Sequence, residues 1–242
     1  MFLRWFKCDY DMIFMKNLES IPDDLFINSN LPPVKKSKGD IDKARAIKTG
    51  SSKENLVAVQ SLLIPTDVFY NSELTLKREE SSVYLRETVA EKLLNAQKAL
   101  YPYGYSLIVL DGHRSLDFQK RLINFYGESV SEKGFVSSVS ENETLVPPHT
   151  TGAAVDLTLV RHGRRLALGT DYDSFNELAA PEALEARDDM TRPRDLRRLL
   201  NKVLTTEDFV PHYLEWWHWS YGDQYWAVEK GRKTAIYGSI EL

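Results

Sequence analysis

Two short, well-separated segments constrain this chain more than any other feature. They are Pro148-His149-Thr150-Thr151-Gly152-Ala153-Ala154-Val155-Asp156 and Glu215-Trp216-Trp217-His218-Trp219. Two imidazoles and one carboxylate form a normal ligand set for catalytic zinc, with one position left open for water. A further carboxylate that is not a ligand can take that water's proton. A fold that uses His149, Asp156, Glu215 and His218 together must bring both segments to one place.

Each segment alone also has a plainer reading. His149 and Asp156 could form a surface hydrogen bond, and the tryptophans could be ordinary core around a satisfied histidine and a rim glutamate. Local geometry sharpens the choice. Pro147-Pro148 stiffens the approach to His149 and discourages helix there, while Gly152 permits positive φ between the two candidate ligands. Asp156 falls in a β-rich run, where Ala154 and Asp156 share one face and Val155 and Leu157 the other. Glu215 and His218 are three apart, so on a regular strand they face opposite ways. Their convergence on one metal requires a bend or bulge.

At 242 residues, with 43% hydrophobic and 27% charged residues, the chain can build one sizeable core. A formal net charge of −4 offers no electrostatic case for nucleic acid or an anionic membrane. The basic cluster Arg192-Pro193-Arg194 with Arg197-Arg198 is interleaved with Asp188, Asp189 and Asp195, which reads as a solvated helix face. Cys8 is the single cysteine, so an internal disulfide and a Cys-rich zinc site are both excluded. No run approaches the roughly 20 apolar residues needed to span a bilayer. Asp9 and Asp11 interrupt any signal-peptide core after Met1-Phe2-Leu3-Arg4, so the cytoplasm is the expected compartment, the periplasm remaining the alternative.

Residues 1–54 differ from the rest, with Asn28-Ser29-Asn30-Leu31-Pro32-Pro33 followed by a polar Lys/Ser/Gly stretch, and read as an extension of a domain spanning 55–242. Leu56 to Ile64 reads as a strand ending at Pro65, and the stripe 85, 89, 93, 96, 100 as a helix ended by Pro102 and Gly104. Tyr105–Leu110 reads as a buried strand that delivers Asp111-Gly112-His113-Arg114. Ser115 then caps a helix bearing Phe118, Leu122 and Phe125. A polar loop covers about 127–146, a strand 154–160 and a hairpin turn 161–164, before an amphipathic helix over 192–204. Helices and hairpin strands come in blocks, which argues for α+β with an antiparallel sheet flanked by helices.

Arg114 sits where a buried strand gives way to a turn, so its guanidinium can project into a cleft and stabilise an oxyanion or bind a carboxylate, with Asp111 orienting it. A structural Arg–Asp pair is the plainer alternative. His113 reads as facing away from Arg114, His162 as a turn residue, and His212 as part of the loop leading into the Trp segment.

Taken in order, these pieces resemble the D-alanyl-D-alanine dipeptidases of the VanX type, zinc peptidases related to D,D-carboxypeptidases. The matching text is Tyr84-Leu85-Arg86, Gly104-Tyr105, Asp111-Gly112-His113-Arg114, His149-x-x-Gly152-x-Ala154-x-Asp156-Leu157-Thr158-Leu159, Gly169-Thr170-x-Tyr172-Asp173 and Glu215-Trp216-Trp217-His218, over roughly residues 56–226. The resemblance implies the D,D-peptidase and hedgehog-like zinc fold, and one Zn²⁺ on His149, Asp156 and His218. It implies Glu215 as general base, Arg114 as oxyanion partner, and Asp173 as holder of a dipeptide's ammonium group. The implied partner is a small peptide, most simply D-alanyl-D-alanine, without nucleic acid or membrane. A D,D- or L,D-carboxypeptidase acting on cell-wall peptides, and a non-catalytic zinc-binding module, are the alternatives. Pro147 and Ser115 stand where the family usually has Ser and Pro.

Overall fold

The computed structural model describes residues 31–37, 39, 41–71, 76–77, 79–127 and 144–242. Cys8, the stretch before residue 31 and most of the loop expected over 127–146 lie outside the described residues.

A five-stranded antiparallel sheet carries the site. Strands β3 (Ser106–Asp111), β4 (Ala154–Arg161), β7 (Glu215–Ser220) and β6 (Val210–His212) lie in that order, and the short β5 (Arg164–Arg165) pairs with β4. A separate antiparallel pair joins β1 (Leu56–Ala58) to β2 (Tyr84–Arg86). The α+β expectation and the antiparallel sheet are what the structure has.

Alternation along β4 divides labour between its faces. Val155, Leu157 and Leu159 enter the main apolar core, and Asp156 points the other way yet is only 2% exposed. Helices α2 (Glu87–Leu100) and α4 (Thr191–Thr206) pack on the sheet and on each other through Val89, Leu93, Leu100, Leu196, Leu200 and Val203. The short helix α1 (Ile41–Ala46) packs against α5 (Gln224–Glu229), and the carbonyl of Glu54 accepts from buried Arg86. Among the described residues no helix is long and apolar enough to cross a membrane.

Some local expectations need correcting. The strand expected over 56–64 stops at Ala58 and continues as a 3-10 turn, Val59–Leu62, closed by Leu63 at φ 59°. The helix expected from the stripe 85, 89, 93, 96, 100 starts at Glu87, because Leu85 belongs to β2. In α3 (Leu116–Tyr126), Ser115 accepts from Phe118 N as expected, but of the three apolar residues named above Phe125 is 46% exposed, whereas Phe118 and Leu122 are buried.

The basic cluster is not a uniformly solvated face. Arg197 is buried, donating from Nε, Nη1 and Nη2 to the carbonyls of Leu168, Ala180 and Leu178 at 2.7, 2.8 and 2.9 Å. Those carbonyls belong to a segment without regular strands or α-helix, so a cation with fixed, divergent donors satisfies backbone that no sheet partner reaches. Asp195 is buried beside Arg194, and Glu185 is paired with Arg198.

Candidate active site

Both outer strands of the site deviate from regular pairing where they reach it. On β3 the register slips between Val109 and Asp111, so that Asp111 lies opposite Asp156. On β7 the slip is larger: Trp219 pairs with Pro211 and Glu215 with the adjacent His212, leaving Trp216, Trp217 and His218 without partners on β6. That excursion is the bulge the three-residue spacing demanded, and it leaves His218 Nδ1 3.7 Å from Glu215 Oε2. Across the sheet, Asp156 and His218 are direct register partners, which makes a row Asp111, Asp156, His218.

His149 arrives from a different direction, on the 3-10 turn Pro148–Thr151 that ends at Gly152 with φ 69°. The prolines do not prevent this turn; Pro148 starts it, at a position whose missing N–H costs nothing. A Cβ on Gly152 would lie 2.4 Å from the Leu56 side chain, so the close approach also requires glycine. The turn is locked to the Arg114 turn, since Arg114 N donates to His149 O at 3.2 Å and His149 Nδ1 lies 2.7 Å from Gly112 O. With its proton on Nδ1 toward that carbonyl, His149 presents Nε2 as a free donor of electrons.

Three donor atoms therefore meet. His149 Nε2 is 3.1 Å from His218 Nδ1 and 3.4 Å from Asp156 Oδ1, and His218 Nδ1 is 3.1 Å from Asp156 Oδ1. All three residues are buried, and Asp156 Oδ1 is a buried oxygen without a hydrogen-bond donor. Ligands about 2.0–2.1 Å from a tetrahedral zinc stand roughly 3.3 Å apart, so this triangle fits that ion by its spacing and its donor types. The second oxygen of Asp156 is occupied: Tyr172 Oη donates to Oδ2 at 2.8 Å and Arg114 Nη2 lies 3.6 Å away. Burial penalises the Asp156 charge, but His149 and His218 outweigh it and hold the carboxyl well below its usual range. Burial lowers the His218 imidazole, against the pull of Asp156, toward the form that can ligate a metal.

Glu215 faces the same space. Burial first, then the charges of Asp156 and Asp173, push its carboxyl well above the usual range against the pull of Arg114. Arg114 is buried, its Nε donating to Asp111 Oδ2 at 2.6 Å and its Nη1 to Gln119 Oε1 at 3.2 Å. Burial disfavours its charge, yet Asp111, Tyr70 and Asp156 more than restore it and raise the guanidinium well above its ordinary value.

Asp173 lines the same cleft as Arg114, Glu215 and His218. It adopts φ 56°, and its Oδ2 accepts from Tyr70 Oη at 2.9 Å and Tyr126 Oη at 2.6 Å. Burial raises it to about 7.

His149, Asp156, Glu215 and His218 of the two motifs line one cleft together with Arg114 and with Asp173, which the resemblance alone implies. His113 turns away, its Nε2 2.7 Å from Ile240 O, and His162 is an exposed turn residue at φ 50°. His212, expected in the loop leading into the Trp segment, is instead a buried residue of β6 lining the cleft. Tyr70 and Gln119 contact Asp173 and Arg114 without any local sequence signal of a site role, whereas Tyr172, bonded to Asp156, stands next to Asp173 in the chain.

A peptidase family profile, the M15 family described as D-ala-D-ala dipeptidase, matches residues 69–233, more than half of the chain. Among curated proteins, the D-alanyl-D-alanine dipeptidase of Synechocystis sp. is 27% identical over 199 residues, which is 66% of this chain and 81% of that protein. The D-alanyl-D-alanine dipeptidase of Enterococcus faecium is 25% identical over 154 residues, or 56% and 72% of the two chains. Among solved structures, the LdcB LD-carboxypeptidase is 20% identical, covers 77% of each chain and has a TM-score of 0.38.

Proposed function

The chain belongs to the D-Ala-D-Ala dipeptidase family of peptidases, and from that premise we propose that it is a zinc dipeptidase whose first substrate is D-alanyl-D-alanine. Catalysis is assigned to residues 55–242, with 1–54 as an extension. One observation carries the reading: His149 Nε2, His218 Nδ1 and Asp156 Oδ1 converge at zinc-ligand spacing while Glu215 and Arg114 line the same cleft.

In this reading His149, Asp156 and His218 hold one Zn²⁺ per chain. When bound, that ion supplies Lewis acidity that polarises a carbonyl and eases deprotonation of water. Glu215 takes the proton of the attacking water on its carboxylate and later delivers it to the departing amine. Its burial makes it more basic than an exposed glutamate, which strengthens it as a proton acceptor. Arg114, held by Asp111 and Gln119, donates to the carbonyl oxygen as negative charge develops there. Asp173 receives the free α-ammonium. A buried carboxylate at that end favours a dipeptide over an N-acylated chain, which brings no cation to offset the burial.

The direct test is Glu215→Ala. It should retain stoichiometric zinc and lose turnover of D-alanyl-D-alanine by several orders of magnitude. Near-normal hydrolysis by this variant would sink the mechanism. Equal cleavage of an N-acylated tripeptide by the unaltered protein would move the assignment to a carboxypeptidase.

A further inference from the structure

We infer that His212 is a positioning residue for Glu215, holding its carboxylate through a hydrogen bond from Nδ1 to Oε2. This deepens the reading of Glu215 as general base and rests on it.

Four observations support the assignment. His212 and Glu215 are Cα partners across β6 and β7, on the near side of the large excursion in β7. Both side chains are buried, at 8% and 5% exposure. His212 Nδ1 lies 3.6 Å from Glu215 Oε2 and is a buried nitrogen with no hydrogen-bond partner. His218 Nδ1 is the other imidazole nitrogen near that oxygen, at 3.7 Å, but it also faces Asp156 Oδ1 and His149 Nε2 within the metal triangle.

The pairing follows from the cost of leaving buried polar atoms unsatisfied. An unpaired donor and an acceptor held opposite each other gain a hydrogen bond by closing about half an ångström. Catalytic hydrogen bonds are commonly long before substrate arrives and shorten in the productive complex. The His212 ring is packed against Tyr213 and Tyr225, with centroids 4.6 and 5.6 Å away, so its orientation is set before any substrate binds. The donor then fixes one oxygen of Glu215 and leaves the other to meet water.

Asparagine and glutamine separate the roles of the two ring nitrogens, because an Asn amide nitrogen occupies the place of Nδ1 and a Gln amide nitrogen that of Nε2. In the zinc-loaded protein, His212→Gln and His212→Leu should lower kcat for D-alanyl-D-alanine by roughly 10- to 100-fold, with KM and zinc content unchanged. His212→Asn should recover most of the loss. In a Glu215→Gln background none of the three should alter the residual rate. Nitrogen-15 NMR should find His212 protonated on Nδ1. Equal losses in the Asn and Gln variants, a kcat loss that follows loss of zinc, or a proton on Nε2 would each overturn the inference. Normal turnover in Glu215→Ala would instead overturn the general-base reading, so the two failures are distinguishable.

Discussion

Tyr172 Oη donates a 2.8 Å hydrogen bond to Asp156 Oδ2, while Asp156 Oδ1 has no hydrogen-bond donor and faces two imidazole nitrogens. The Tyr172 ring is itself fixed between Phe69 and Trp217, at centroid distances of 4.7 and 5.4 Å. One oxygen of the carboxylate is thus committed to protein and the other presented to the site.

Tyr172→Phe removes that donor without emptying the ring's place. With Asp156 as the proposed zinc ligand, it should weaken zinc binding by roughly 10- to 100-fold, the usual cost of losing a hydrogen bond behind a metal ligand. Competition with a chromogenic chelator measures this directly. Unchanged zinc affinity would show that Arg114 alone suffices to orient Asp156.

Asp173 sets a pH dependence. Its folded-state value of about 7 lies above that of an exposed aspartate, so between about pH 4 and 7 the folded protein holds a proton the unfolded chain has released. The contribution to stability is therefore present at low pH and is lost as pH rises through 7. Asp173→Asn cannot ionise, so its Tm relative to the unaltered protein should increase from pH 5 to pH 8. In the role proposed for Asp173, binding has the opposite sense, because an ammonium needs the ionised carboxylate. KM for D-alanyl-D-alanine should fall as pH rises through 7, and Asp173→Asn should raise KM roughly tenfold or more and flatten that profile.

Arg197→Met tests a structural contact. Removing a buried cation that binds three carbonyls should cost about 3 kcal/mol in denaturant unfolding, with zinc stoichiometry retained. A change below about 0.5 kcal/mol would mean that water replaces the guanidinium at those carbonyls.

Much of the fold was legible because it rests on local rules. The alternation around Asp156, the Ser115 cap and the amphipathic helix over 192–204 all reappear as β4, the start of α3 and α4. The misreadings share a different cause. His212 follows Pro211 and resembles loop text, but its burial depends on β7 lying alongside, which no local pattern announces. Arg197 reads as solvated because charge usually avoids the interior; its three carbonyl acceptors come from residues 168–180, and their meeting with α4 is a tertiary event.

By itself the sequence determined the donor types, their chain order and the need for a bulge between Glu215 and His218. These follow from chemistry and from the two-residue period of a strand. Only the tertiary structure decided which atoms face one another: Nε2 of His149, Nδ1 of His218 and Oδ1 of Asp156, with His212 opposite Glu215. That choice depends on the slipped registers of β3 and β7 and on the Gly112 carbonyl next to His149 Nδ1. Each is a contact between distant segments, fixed by how the sheet pairs and not by spacing along the chain.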